Sequence, residues 1–404
     1  MISRKYSIIQ FGAIVLSIVM GSHSSAVEFS GQVALETRLF FESAAYAQQH
    51  ADNSSLSIQP EIYHESKDGS SNITFVPFFR LDEGDKQRTH ADIRELSWVK
   101  LQDELEWRIG VRKVFWGVTE SQHLVDIINQ TDNIESIDQE EKLGQPMINL
   151  SYTTDIGSFD FFVLPYFRER TFASIQGRLR SQPYVDSSKV FYESNDKEKH
   201  IDYAFRWAHS VEEWDLGFSY FSGTSRAPRF VVGTDSNGIT VLNPYYDIIN
   251  QLGLDIQATY ESWLWKLETI HRSGVGSNND SYWAFTGGLE YTFYSLIGEA
   301  TDLGLVIEYS RDDRGVDATS PMQKDIMLGL RFNLNDEQST DMLIGMISDI
   351  DSDAITYSIE ANRRLTDNIK LSLEAKIFSD IPSSDVLFPY LKDDYFQVEL
   401  FYYF

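Results

Sequence analysis

Charged side chains recur at even spacings within runs that otherwise alternate apolar and polar. Glu36 and Arg38 do so, as do Glu106, Arg108 and Arg112, then Asp202, Arg206, Asp255, Glu290, Glu308, Arg331 and Glu360. A spacing of two gathers such groups on one face of a β-strand and leaves apolar side chains on the other. Burying so many charges in a dry core costs several kcal/mol per ion. The chemistry they suggest is solute selection by the field of a water-filled lumen, or salt bridges that only solvate its wall. Signs of covalent or metal catalysis are thin. There is no cysteine, and His123, His200, His209 and His271 are scattered, without an HExxH or a Gly-x-Ser-x-Gly. Asp349, Asp351 and Asp353 alternate and would offer oxygens to a hard cation such as Ca²⁺. Their spacing is not an EF-hand, and a solvated acidic turn is the simpler reading. We expect no metal and no cofactor. A formal charge of −27 also argues against nucleic acid as a partner, since that needs basic grooves.

The densest chemistry lies in Val114 to Pro146, "VFWGVTESQHLVDIINQTDNIESIDQEEKLGQP". Leu124, Val125, Ile127, Ile128 and Ile134 predict an apolar helical stripe that would anchor on an inner wall. Glu120, Asp126, Asp132, Glu135, Asp138, Glu140 and Glu141 would then oppose Arg108 and Arg112 across a narrowing and create a transverse field. Trp116, Gly117, Glu120, Asp126, Asn129 and Asp132 are the candidate constriction residues. The competing reading is an external lid helix that never enters the lumen.

These residues need strands to position them. After Val27 one unit repeats, about ten alternating residues and then a turn, as in Ile201 to Trp207, Trp214 to Tyr220, Leu252 to Tyr260 and Ile326 to Leu334. About 18 such segments can be placed, with 16 left open. They centre near Val33, Ile58, Phe75, Ser97, Ile109, Ile148, Val163, Phe205, Phe218, Ile256, Leu267, Gly287, Ile307, Gly329, Ile344, Tyr357, Leu373 and Val398. Connections sort by parity: short turns follow even-numbered segments and the long loops follow odd-numbered ones. That is expected of an antiparallel transmembrane β-barrel, and a soluble sandwich has no reason for it. The chain also ends on an alternating strand, "YFQVELFYYF", with Phe404 as its final residue. In a closed barrel that strand pairs with the first. The 21 Tyr and 26 Phe fit an outward face with aromatic girdles. Arg4 and Lys5, the apolar Ile8 to Met20 and the small residues Ser24-Ser25-Ala26 predict a signal peptide over 1–26, leaving one barrel domain over 27–404.

Three resemblances sharpen this. The loop after the fifth strand occupies the position at which general porins fold a loop into the barrel. Trp116-Gly117 followed by Asp126-Ile127-Ile128-Asn129-Gln130-Thr131-Asp132 resembles uncharacterised proteobacterial outer-membrane proteins with a Trp-Gly strand end and an Asp-x-x-Asn-Pro-x-Asp loop, Gln130 standing where that family has proline. Phe404 resembles the carboxyl-terminal signal that the barrel assembly machinery of Gram-negative bacteria reads. The resemblances imply a porin-like barrel in the outer membrane, in contact with lipid and lipopolysaccharide, but no particular solute. We therefore expect a non-enzymatic channel for small or medium solutes, with a homo-oligomer left open. The alternatives are a transporter of apolar compounds, suggested by Phe161, Phe162, Val163, Leu164 and Tyr166, which make the seventh strand apolar on both faces, a barrel hydrolase and a structural barrel with a blocked lumen.

Overall fold

The computed structural model describes residues 27–297 and 300–404. The expected signal peptide lies outside the described residues. Eighteen strands follow one another: β1 (Val27–Phe40), β2 (Asn53–Glu65), β3 (Ser71–Asp82), β4 (His90–Gln102), β5 (Leu105–Arg112), β6 (Gln145–Thr154), β7 (Gly157–Leu164), β8 (Asp202–Val211), β9 (Trp214–Thr224), β10 (Ile248–Tyr260), β11 (Trp263–Val275), β12 (Asp280–Ile297), β13 (Thr301–Asp312), β14 (Lys324–Asn333), β15 (Asp341–Asp349), β16 (Ile355–Thr366), β17 (Ile369–Ser379) and β18 (Tyr395–Tyr403). Each pairs antiparallel with the next. β18 returns to β1 in a register running from Gln32 opposite Tyr403 to Phe40 opposite Tyr395, so the sheet closes into a barrel without an edge. All 18 expected segment centres fall inside these strands.

The alternation is inside-out relative to a soluble protein. Leu35, Leu56, Ile58, Phe79, Ile307 and Leu328 point outward and are exposed, while their neighbours Glu36, Ser55, Ser57, Arg80 and Glu308 point inward and are buried. Such a surface suits hydrocarbon rather than water. Aromatics gather at the short-turn end, where Trp263 lies 4.5 Å from Tyr291 and Tyr291 lies 4.7 Å from Phe293, as an interfacial girdle would. No helix among the described residues is long and apolar enough to cross a membrane.

The long connections gather at the opposite end. Residues 165–201 and 225–247 contribute a small outer sheet, in which Arg229–Thr234 pairs antiparallel with Thr240–Tyr246 and Phe191–Tyr192 adds in parallel. Arg178 ties three loops together. It donates to Asp393 at 2.7 Å, to the carbonyls of Ala51 and Glu42 at 3.1 Å and to that of Lys392 at 2.7 Å.

One expectation is overturned. The third long connection, residues 113–144, contains no helix. A helix would satisfy its amides on its own carbonyls. Here several of those amides donate to carboxylates of the barrel wall instead, and the loop runs extended across the lumen.

Candidate functional site

The third loop leaves β5 and crosses to the far wall. Trp116 packs edge-on against Phe162 of β7 at 5.7 Å between ring centres. Val125, Ile127 and Ile128 are fully buried among the inward side chains Met147, Ala204, Phe221, Ile249, Ile270 and Ala284. The loop thus fills part of the bore rather than capping it, which overturns the external-lid alternative. Gly117 permits the crossing. Its φ is +145°, and a Cβ there would sit 2.9 Å from His123 Nδ1 and 3.0 Å from Glu268 Oε1.

Two wall glutamates clasp the loop backbone. Glu268 of β11 accepts from the amides of Val118 at 2.7 Å, Thr119 at 3.0 Å and Val125 at 3.1 Å, and from Thr119 Oγ1 at 2.7 Å. Glu308 of β13 accepts from the amides of Glu120 and Ser121, both at 2.8 Å, and from Ser121 Oγ at 2.7 Å. Hydrogen bonds to an ionised acceptor are roughly twice as strong as neutral ones. The Glu120 carboxylate meets Arg331 at 2.7 Å and Lys266 at 3.5 Å. Burial alone would raise its pKa, but these two cations hold it below the ordinary carboxylate value. Asn129 fastens the two ends of the loop, accepting from the Val114 amide and donating to the carbonyls of Arg112 and Leu143, each at 2.8 Å.

The loop acids do not oppose Arg108 and Arg112. Arg108 pairs with Glu106, its neighbour on the same strand, and lies 3.5 Å from Asp160. Nε and Nη1 of Arg112 are buried without a hydrogen-bond partner among the described residues. Asp132 instead meets Arg94 at 2.6 Å, Glu135 meets Arg80 at 2.8 Å, and Asp126 meets Lys142 within the loop at 3.0 Å. Parity of strand position could not foresee this, because the loop crosses the bore at a slant. It meets β3 and β4 on one side and β11, β13 and β14 on the other.

Several other charges of the alternating set are also consumed in local pairs. Glu36 binds Arg80 and Arg88, Arg38 binds Gln397, Asp202 binds Arg226, and Arg206 binds Asp255. Glu290 lies 3.5 Å from Arg331, and Glu360 lines the remaining opening. Phe404 sits at the seam, away from the lumen. Asp349 caps its own turn through the amides of Asp351 and Ser352, and Asp351 pairs with Lys324. His90, Asp132 and Glu135 form one group with metal-ligand atoms within 4.8 Å of one another, but both carboxylates are already bonded to arginines. The sequence reading missed the part played by residues 165–201, which supply Arg168, Arg170 and Arg178 to the interior. Four arginines between 168 and 180 in a connection of a strongly acidic chain were the available signal.

A cavity of about 580 Å³ lies between the loop and the wall from β11 to β17. Its lining combines Ile127, Ile270, Met327 and Leu343 with Arg170, Arg272, Asp325 and Glu360. His123 stands beside it, its Nε2 3.1 Å from Glu140 and its Nδ1 3.8 Å from Glu268. Burial would push the imidazole pKa down, but the two carboxylates outweigh that and raise it to about 10. A histidine raised in this way contributes fully below its unfolded value near 6.5 and loses that contribution as pH climbs through about 10. Loop fluctuations, read as current noise in a bilayer recording, should therefore be lowest below about pH 6.5, grow progressively above it and level off above about pH 10. A His123→Gln variant should be noisy throughout. Noise that does not change between about pH 6.5 and 10 would show that the histidine is not held by the acids.

No protein-family model matches this sequence, and no curated protein sequence does. Solved structures do align with the chain. A multiply substituted Rhodobacter blastica porin aligns over 94% of this chain and 100% of its own, at 10% identity and a TM-score of 0.46. OmpT, an outer-membrane protein of Vibrio cholerae in trimer form, aligns over 94% and 99%, at 11% identity and a TM-score of 0.48.

Proposed function

We propose that the protein is an outer-membrane channel for passive movement of small or medium solutes, narrowed by its third loop. The observation that carries this is the loop itself, clasped across the bore by Glu268 and Glu308 and leaving an opening of about 580 Å³ lined by both charge signs. A filled barrel would spend its interior on packing. A barrel with an inward loop and a polar opening has the form of a selective passage. In this reading the outward apolar face meets lipid and lipopolysaccharide, the barrel assembly machinery inserts the chain, and a homo-oligomer is an available arrangement.

Apolar transport loses its motive. Phe162 and Leu164, which suggested a greasy lumen patch, are covered by the third loop and its surroundings. Purified protein reconstituted in planar bilayers should show discrete conductance steps, and liposomes carrying it should swell in small sugars. Silence in both assays, with a barrel shown to be folded by its faster migration on unheated gels, would overturn the channel reading in favour of an enzyme or structural barrel.

A further inference from the structure

Four arginines line the cavity, and they are not equivalent. Arg226 is neutralised by Asp202 at 2.7 Å and Arg314 by Asp312 at 2.5 Å. Among the described residues Arg170 and Arg272 have no carboxylate partner. Each is held by a glutamine. Arg272 Nε and Nη2 both donate to Gln251 Oε1, at 2.8 and 2.5 Å, from the directly opposite position of the β10–β11 register. Arg170 Nε donates to Gln130 Oε1 at 3.2 Å and its Nη2 to the Arg226 carbonyl at 2.8 Å. Gln130 and Gln251 are themselves almost fully buried.

An amide fixes a guanidinium without cancelling its charge. A carboxylate in its place would do both. The wall therefore presents two oriented cations, and among the described residues the Nη1 groups of both make no hydrogen bond. The two also feel each other. Burial first and then the charge of Arg272 push the Arg170 pKa down to about 10, against the opposing pull of Tyr246. Leaving two like charges together is costly unless an anion joins them. Ile127, Ile270 and Phe230 line the same cavity. Asp325, Asp349 and Glu360 line it as well and disfavour a polyanion.

We infer that Arg170 and Arg272 form an anion-recognition subsite for the carboxylate of an organic monoacid, whose apolar part rests against Ile127, Ile270 and Phe230. A planar guanidinium is the side chain best matched to a carboxylate, and a concave cavity that sets Ile127, Ile270 and Phe230 beside oriented cations suits a small ligand with one charged end. The inference deepens the channel reading and rests on it for the route the solute takes, though not for the binding itself.

The test is calorimetric titration of the full chain in detergent with sodium benzoate and, separately, with benzyl alcohol, which has a similar body and no charge. Benzoate should bind at least about tenfold more tightly, the scale of one charge-assisted hydrogen bond. The double variant Gln130→Glu, Gln251→Glu, which supplies carboxylates at the same positions, should erase that difference, and so should Arg272→Gln. Equal binding of the two probes to the unaltered protein would overturn the inference and needs no variant to do so. A preference that survives in folded variants would overturn it too. Conductance without a benzoate preference leaves the channel reading standing and removes this subsite. An arginine-dependent benzoate preference in a protein silent in bilayers does the reverse.

Discussion

Replacing Glu268 by alanine should raise single-channel conductance several-fold and weaken ion selectivity. One carboxylate accepts from three loop amides and a hydroxyl, all on the segment that crosses the bore. Its loss would leave those amides buried without an acceptor, at about 1–3 kcal/mol each, so the segment around Val118 to Val125 should detach and admit water. Deleting residues 118–143 should reach the same wide, poorly selective state. Two features make Glu268 the sharper test. It changes one side chain of the wall and keeps the loop, and Glu268→Gln should fall between wild type and alanine, because the amide oxygen still accepts while its nitrogen faces donors. The selectivity difference should shrink in 1 M salt, where the Debye length is about 3 Å. If Glu268→Ala conducts as wild type does, the apolar anchor of Val125, Ile127 and Ile128 holds the loop without the clasp.

Deleting Phe404 should sharply lower the amount of barrel in the membrane while leaving the conductance of each assembled molecule unchanged. The residue lies at the seam, far from the bore. Its amide donates to the Gly31 carbonyl at 3.0 Å, the Gly31 amide donates back at 3.1 Å, and its ring lies 5.6 Å from that of Phe29. The last rung of the closing ladder and an outward aromatic are lost together. Gly31→Val should reproduce the defect from the other side. A Cβ there would come within 2.7 Å of the Gln59 carbonyl and 2.9 Å of the Phe404 ring. Quantifying the heat-modifiable band in membrane fractions checks both. Normal barrel levels after the deletion would remove Phe404 from the closing step.

The sequence made the strands legible because each needed only a local pattern. Alternation around Phe218 or Ile256 is visible in seven residues, and the closing pair was legible because Phe404 ends an alternating run. The inward position of Val125, Ile127 and Ile128 was also anticipated from their apolarity, but their helix was not correct. Helical periodicity in a segment describes a chain that must satisfy its own amides, and nothing in "VTESQHLVD" reveals that Glu268 and Glu308, well over a hundred residues later, will satisfy them instead. The pairing of charges failed for a similar reason. Which arginine meets Asp132 depends on the slant of a loop across the bore. The roles of Gln130 and Gln251 could not be read at all, since a neutral glutamine carries no signal until the guanidinium it holds is located.

Arg178 has a mechanical consequence. It stands on the connection after β7, its guanidinium divides its donors between the connections that follow β1 and β17, and it also stacks 4.2 Å from the Phe40 ring. Surface loops ordinarily open one at a time, each with its own small free energy, and are nicked by proteases one at a time. Three loops bolted to one cation cannot. Lifting either acceptor loop, or the one that carries Arg178, strips partners from a buried charge, so their opening energies should converge and amide exchange should report the three as one cooperative unit. This part of the outer rim then behaves as a single stiff plate beside the bore.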